Sequence, residues 1–498
     1  MKLLSAQQIH QWDVFTMQHE PVASVDLMER AANACVEWLL KSNISLHQIK
    51  IFCGKGNNGG DGLAIARLLI KRGFNVIIYV LEFGAKGTDD FQINLQRLHG
   101  LTKEIHFIQS PGFFPFIEKG DVVIDALFGS GLNRPLEGMS GELVQHINQS
   151  SSKIISVDVP SGMSIDKSSK GNNIIKAVHT LTFQSLKLCF LMAENAGYFG
   201  QVHLLNIQLL PQFLQTVSSV FEITDLPTIK EILRPRNPFA HKGNFGHALL
   251  IAGNTHSTGA AIMATGAALR TGVGLLTVNV PEKNFNALYA TYPEAMLMSR
   301  EEELANLQKF NAIGIGCGLG TNDDSKKILN DVLNAFSKPM VIDADALNII
   351  SAEKNLLSKI PANSILTPHP KEFERLFGTC ENDFERINKA VELSTQHNFT
   401  IVLKGHYTLV AHNGKGYFNT TGNAGLAKGG SGDTLTGMIL ALLAQGYHAL
   451  HASVVGVYLH GLSADLSLEN QSPESLLATD VINNIGKAFN YLTEIKHN

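Results

Sequence analysis

The chain alternates short apolar runs with longer stretches in which apolar residues recur every three or four positions. In the first part, the runs at 49–53, 75–81, 121–125 and 153–157 read as strands, with helical patterns between them. Upstream, Leu27, Met28, Ala31, Ala32, Cys35, Val36 and Leu39 follow i, i+3/i+4 spacing and predict a helix with one buried face. A second series predicts strands at 248–252, 275–280, 312–316, 339–342, 364–367 and 401–404, and mostly helical sequence after Ser431. Alternation of this kind predicts parallel sheets covered on both faces. Between the two series, 210–226 loses periodicity and carries Pro211, and the stretch LRPRNPFAHKG follows it. The boundary is therefore expected near residue 222, giving α/β domains of 1–222 and 223–498.

Composition narrows the class. A chain of 498 residues has room for two large α/β domains. With 44% hydrophobic and 17% charged residues, global disorder and coiled coil are excluded. Forty basic against 44 acidic residues leave a net charge of −4, without the basic excess of a nucleic-acid binder. Cys35, Cys53, Cys189, Cys317 and Cys380 are scattered singly with no CxxC pair, which suits a reducing compartment. The start, MKLLSAQQIHQWD, turns polar at once, and the apolar stretch 437–444 is too short to span a bilayer. A soluble cytoplasmic protein with no membrane partner is expected.

The glycines carry candidate chemistry. Gly54-Lys55-Gly56-Asn57-Asn58-Gly59-Gly60-Asp61-Gly62 follows a strand and opens a helix. Glycines there permit tight turning and close backbone approach to a ligand, and a helix N-terminus attracts anions. Asp61, expected at that same N-terminus, would repel a pyrophosphate, while Asn57 and Asn58 add side-chain carbonyls. A cation or polar-ligand site is one reading; the other is that Asp61 only caps the helix. VIDALFGSG places Asp125 at one strand's carboxyl end and VDVPSG places Asp158 at another. In open parallel sheets, ligands bind at that edge.

In this order and spacing, GKGNNGGDG, DALFGSG and VDVPSG resemble the NAD(P)H-hydrate epimerase (YjeF N-terminal) domain. The resemblance covers roughly residues 1–210, including TLTFQSLK and YFGQVHLLNI. It implies a Rossmann-like three-layer αβα fold that equilibrates the R and S hydrates of NADH and NADPH. It implies Asp158 as the acid/base residue in contact with the hydrate, and Asn58, Asp125 and Ser161 as potassium ligands. The implied substrate-binding segments are Asn57, Asn58, Gly59, Gly60 and Asp61, together with Gly129, Ser130, Gly131, Leu132, Asn133, Arg134 and Pro135.

In the second domain, Ala427-Lys428-Gly429-Gly430-Ser431-Gly432-Asp433-Thr434-Leu435 hands small residues over to a helix with an acid in its first turn. Backbone N–H groups there can surround a phosphoryl group, with Asp433 placed to take a hydroxyl proton. IVLKGH is a strand ending in a basic, flexible turn at Lys404, and TPHP fixes His369 at another strand end. VIDADAL offers Asp343 and Asp345. His369 and Asp345 remain open between structural and functional roles, and Cys317 reads as a small buried residue. No GxxxxGK[ST] motif is present, which excludes a P-loop.

The ordered set HKGNFGHALLIAGN, GIGCGLG, VIDADAL, LTPHPKEFERL, VLKG and KGGSGDTL resembles the ADP-dependent (S)-NAD(P)H-hydrate dehydratase domain, a ribokinase-like α/β fold, over about residues 232–445. The chain departs from that family at Asn254, where serine is expected. The resemblance implies Asp433 as catalytic base in contact with the hydrate and Gly430, Ser431 and Gly432 as the anion hole. Lys404, Gly405, His406, Tyr407 and Thr408 are the implied nucleotide-binding residues, and Gly318 and His369 the implied hydrate-binding ones. ADP and Mg2+ are the implied cofactors here and K+ in the first domain; NADHX and NADPHX are the implied substrates. Assembly into a homo-oligomer is expected by analogy. The alternatives are a ribokinase-like small-molecule kinase with an N-terminal nucleotide-binding module, and an N-terminal domain serving only for interaction. Intact Asn58, Asp125, Asp158 and Ser161 argue against the latter.

Overall fold

A computed structural model describes residues 1–84 and 86–494. The chain forms two compact units, Lys2–Ser219 and Val220–Glu381 with the residues from Glu385 on; Met1 groups with the second and Asn382–Phe384 with the first. After a two-residue strand, β1 (Lys2–Leu3), the first unit is built on β2 (Ile49–Cys53), β3 (Val76–Leu81), β4 (Ile105–Ile108), β5 (Val122–Ala126), β6 (Lys153–Val157), β7 (His179–Phe183) and β8 (Gln201–Leu205). These form one parallel sheet in the order β4-β3-β2-β5-β6-β7-β8. The two faces alternate along each strand. Ile49, Ile51 and Cys53 pack with Cys35, Val36, Leu39, Leu63 and Phe91 on one side. Phe52 packs with Leu143, Val144 and Ile147 on the other.

The helix Ser24–Lys41 buries all seven residues that the spacing selected, and Asp26 in its first turn and Lys41 in its last suit the helix dipole. The chain direction of the winding reverses between β2 and β5, so their carboxyl ends open a crevice at a topological switch point. The glycine loop after β2 and the DALFGSG loop after β5 both emerge there.

The second unit holds β9 (Phe221–Thr224), β10 (His247–Ile251), β11 (Leu275–Val280), β12 (Met296–Ser299), β13 (Ala312–Ile315), β14 (Met340–Ile342), β15 (Ile365–Leu366), β16 (Thr400–Leu403), β17 (Leu409–His412) and β18 (Lys415–Asn419). Their order is β9-β18-β17-β16-β15-β14-β13-β10-β11-β12. This sheet is mixed, against the expectation of a parallel one. The chain turns back after β16 and pairs β16 with β17 and β17 with β18 antiparallel. Segment 210–226 likewise carries structure despite its lost periodicity: a turn of helix at Phe213–Thr216, and β9, which pairs with β18.

The helix Ser431–Ala444 is buried on every side from Thr434 onward, as expected of a helix apolar all round. It crosses Thr258–Arg270 so closely that a Cβ on Gly437 would fall 2.2 Å from the Ala264 carbonyl oxygen. No helix among the described residues is long and apolar enough to cross a membrane. The five cysteines are all free.

Candidate active sites

In the first unit, a cleft of about 550 Å³ opens at the switch point. Its lining includes Asn57, Asn58, Asp61, Gly129, Ser130, Gly131, Leu132, Asn133, Arg134 and Asp158, so most residues singled out in the sequence converge on one site. Gly59, Gly60 and Pro135 are not in the lining. The first two instead let the helix seat behind it: a Cβ on Gly59 would fall 1.8 Å from the Gly54 carbonyl oxygen, and one on Gly60 2.7 Å from Met28 Cε.

Asp158 follows β6 with φ +67°, a left-handed conformation that costs a non-glycine residue about 1–3 kcal/mol. Its Oδ2 accepts from the Ser130 N–H at 2.8 Å, and Lys187 Nζ stands 3.0 Å from its Oδ1. Burial alone would raise this carboxyl; the Lys187 charge and the Ser130 bond outweigh it and hold the group below its ordinary range. Lys187 is fully buried and also donates to Thr182 Oγ1 at 2.6 Å. In the sequence it stands inside TLTFQSLK with nothing to mark a role. Asp13, on the helix Ala6–His19, was also missed; it lines the same cleft.

Asp61 corrects an expectation. The helix begins at Asn57 with Gly56 as an extended N-cap, so Asp61 lies a full turn inside and caps nothing. It faces the cleft, where burial, Asp158, Asp13 and Asp90 push its carboxyl well above the ordinary range.

Asp125 is wholly buried at the end of β5. Ser161 Oγ and the Leu127 N–H donate to one of its oxygens at 2.5 and 3.3 Å; Ser156 Oγ and the Ser161 N–H donate to the other at 2.8 and 2.9 Å. Among the described residues no basic side chain pairs with it, and burial raises its pKa against these bonds. The buried amide of Asn58 has neither its oxygen nor its nitrogen hydrogen-bonded. A Cβ on Gly129 would lie 3.0 Å from Asp158 Oδ2 and 3.1 Å from Asn58 Cγ, which places these three residues side by side. Asp125, a buried carboxyl with no counter-charge, and Asn58, with an orphaned amide oxygen, are each donors of the hard oxygen type that an alkali cation takes.

In the second unit, the carboxyl ends of β13, β14, β15 and β16 gather the singled-out residues. Gly430 is the N-cap of Ser431–Ala444 at φ +93°, and a Cβ there would fall 2.2 Å from Met263 Sδ. Helix geometry leaves the N–H groups of Ser431, Gly432 and Asp433 without helical acceptors. Asp433 sits in the first turn; burial and the nearby Asp343 push its carboxyl up to about 6 against the opposing pull of Cys317 and Lys404.

The hub of this site is Asp343, read in the sequence only as one of two acids. It is buried, takes Lys404 Nζ on Oδ1 at 2.8 Å, and accepts from Thr436 Oγ1 on Oδ2 at 2.8 Å. A Cβ on Gly432 would lie 3.5 Å from Lys404 Nζ, so the basic turn and the glycine turn meet. Gly405, His406, Tyr407 and Thr408 form the turn from β16 to β17, with Gly405 and His406 exposed. Gly318 takes φ +59° against Ser257 and Ala260.

His369 caps the helix Pro370–Phe377 through Nδ1, which accepts from the Lys371 and Glu372 N–H groups, and burial lowers its pKa. Its Nε2 stands 3.4 Å from Glu372 Oε1. Asp345 has a structural role, accepting from the Gly320 N–H at 2.7 Å. His460, on the helix Ala449–Ser467, carried no signal in the sequence. It is buried beside the Ser431 backbone with Nε2 unpartnered, and burial lowers its pKa to about 4.

The fold and these two acid-bearing strand-end sites define a two-domain α/β enzyme, Rossmann-like and then ribokinase-like. The family model described as YjeF-related protein N-terminus matches residues 24–189, and that of NAD(P)H-hydrate dehydratase matches 248–487. The bifunctional NAD(P)H-hydrate repair enzyme of Thermofilum pendens is 33% identical over 99% of this chain and 97% of its own length. That of Escherichia coli is 33% identical over 93% and 89%. A ribokinase-like superfamily protein of Enterococcus faecalis superposes with a TM-score of 0.50 at 30% identity, covering 56% of this chain and 97% of its own. The chain belongs to the family of bifunctional NAD(P)H-hydrate repair enzymes.

Proposed function

We propose that the chain restores hydrated NADH and NADPH in two steps, epimerising the R and S hydrates in the first unit and dehydrating the S form in the second. The observation that carries this reading is the pair of acids in one chain. Asp158 is held ionised by buried Lys187 at one strand-end cleft, and Asp433 sits with a raised pKa at a glycine-bordered helix start.

In the first step, the reacting carbon bears the added hydroxyl beside the ring nitrogen, whose lone pair makes the C–O bond labile. Asp158 stands against the cationic ring and moves protons as the centre opens and recloses. Asn57, Asn58, Asp61 and the segment 129–134 hold the hydrate. Asn58, Asp125 and Ser161 hold potassium, which would supply the counter-charge Asp125 lacks.

In the second step, the hydroxyl is phosphorylated by ADP, giving AMP, and phosphate is then eliminated in place of hydroxide, a poor leaving group. Asp433 takes the hydroxyl proton, and the N–H groups of the 430–432 turn receive the phosphoryl oxygens. Lys404–Thr408 hold the nucleotide, while Gly318 and His369 contact the hydrate. Asp343 positions Lys404 and Thr436. Among the described residues no three His, Cys, Asp or Glu side chains form a metal cluster. Magnesium would be held chiefly through the nucleotide phosphates, where it would offset phosphoryl charge.

The test supplies the purified protein with enzymatically hydrated NADH and either ADP or ATP, and follows the return of NADH absorbance. Full recovery with ADP is expected. Asp433→Asn should abolish recovery, and Asp158→Ala should leave only the S half recovering quickly. No recovery with either nucleotide would sink the dehydratase reading. Wild-type conversion of both halves by Asp158→Ala would sink the epimerase one.

A further inference from the structure

We propose that Asp13 is a second catalytic residue of the N-terminal cleft, sharing with Asp158 the two proton transfers that epimerisation requires. This rests on the epimerase reading above and deepens it.

The two carboxyls line one cleft from different elements, Asp13 on the helix Ala6–His19 and Asp158 just past the end of β6. Both oxygens of Asp158 are taken, by Lys187 at 3.0 Å and by the Ser130 N–H at 2.8 Å. The Asp13 carboxyl has no hydrogen bond or ion pair among the described residues and is half-buried, free to meet a ligand. The groups facing it are Asp158, Asp61 and Lys187, with His10 on its own helix and Arg134 also in the cleft lining. Burial first, then Asp158, raise Asp13 to about 7 against the opposing pull of Lys187. Of the three carboxyls in this cleft, Asp61 is pushed well above the ordinary range, while Asp158 is held ionised and Asp13 titrates near neutrality, a pair arranged for acid and base roles.

Inversion at the hydrate carbon needs such a pair. The C–O bond breaks as the ring nitrogen's lone pair forms a C=N bond, and the oxygen leaves as water only if it gains a proton, which Asp13 gives. A water then adds to the other face of the cationic carbon, returning the electron pair to nitrogen. It loses its extra proton to the Asp158 carboxylate. Water on a cationic carbon is strongly acidic, so a carboxylate of low basicity suffices. The sum is inverted hydrate, Asp13 ionised and Asp158 protonated. Proton exchange through cleft water resets the pair, and the reverse epimerisation runs with the roles exchanged.

The experiment uses the full chain, hydrated NADH and ADP, and reads conversion of the R half after the S half is consumed. The chain's own recovery of the S half reports intact folding. Asp13→Asn is expected to slow R conversion by about 100-fold or more with S recovery unchanged. In the wild type, R conversion should fall tenfold per pH unit above about 7. That limb should vanish in Asp13→Asn and return, shifted, with partial activity in Asp13→Glu. Wild-type R conversion by Asp13→Asn, or an unchanged alkaline limb in it, overturns the proposal. Asp158→Ala, run alongside, separates the two readings. If it abolishes R conversion while Asp13→Asn does not, only the role of Asp13 fails. If neither variant has an effect, the epimerase reading fails with it.

Discussion

If Asp433 is the base of the proposed dehydration, a single proton on it sets activity and stability against each other. Its carboxyl is raised from 3.8 to about 6 by burial and by Asp343, so the folded chain binds that proton more tightly than the unfolded chain does. The stabilisation from this group is fully present below pH 3.8 and is lost as pH rises through about 6. The proposed role of Asp433 as base needs the opposite state: the carboxyl must be ionised, so dehydration should climb with pH through about 6 and then level off. Asp433→Asn keeps the neutral form at every pH. It should abolish dehydration and raise the melting temperature at pH 7.5, by at most about 3 kcal/mol of stability from the gap between the two values, with no gain at pH 4. Thermal melts at the two pH values check this; a melting temperature lower than wild type at pH 7.5 would contradict the repulsion between Asp433 and Asp343.

At the level of the element, the glycine loop after β2 divides into positions that must be glycine and positions that need not be. Gly59 has no room for a side chain, since its Cβ would fall 1.8 Å from the Gly54 carbonyl oxygen, whereas Gly56 has nothing within 4 Å and an ordinary extended φ of −91°. Gly59→Ala should therefore push the helix Asn57–Lys71 off the strand turn and destabilise by about 1–3 kcal/mol or more. Gly56→Ala should stay within about 0.5 kcal/mol, although it borders the cleft. Urea denaturation of both variants distinguishes a loop shaped by packing from one shaped only by ligand approach. The same loop was legible in the sequence because strand, glycines and helix are contiguous there, and Asp125 and Asp158 were legible as acids closing apolar runs. Lys187 was not: a lysine in TLTFQSLK looks solvated until β7 is laid beside β6 and its amine meets Asp158. Asp13 was hidden in the same way, on a helix distant in sequence from every motif. The hairpin of β17 and β18 escaped because β18, KGYFN, sets two aromatic residues among lysine, glycine and asparagine and shows no apolar run. Asp343 looked equivalent to Asp345, and only the side chains that reach each of them separate the hub from the loop anchor.

For the molecule as a whole, the question is whether the two chemistries need the same chain. Each unit has its own hydrophobic cores: the clusters around Ile51 and Phe52 belong to the first and that around Ile439 to the second. The cleft bearing Asp158 is lined entirely by residues within Lys2–Ser219, and the hydrogen-bonded group of Asp343, Lys404 and Thr436 lies entirely in the second unit. Nothing in either donor set calls for a residue from the other. The intermediate is the S hydrate, a diffusible nucleotide whose transfer needs no covalent carrier. An equimolar mixture of Asp158→Ala chains, defective in epimerisation, and Asp433→Asn chains, defective in dehydration, should therefore recover both halves of a hydrated NADH sample. Its rate should be about half that of wild type at the same total protein, by simple dilution of each active site. If each variant has been shown to keep its remaining activity and the mixture still leaves the R half unrecovered, the hydrate must pass between sites of one chain, and independence of the two units is wrong.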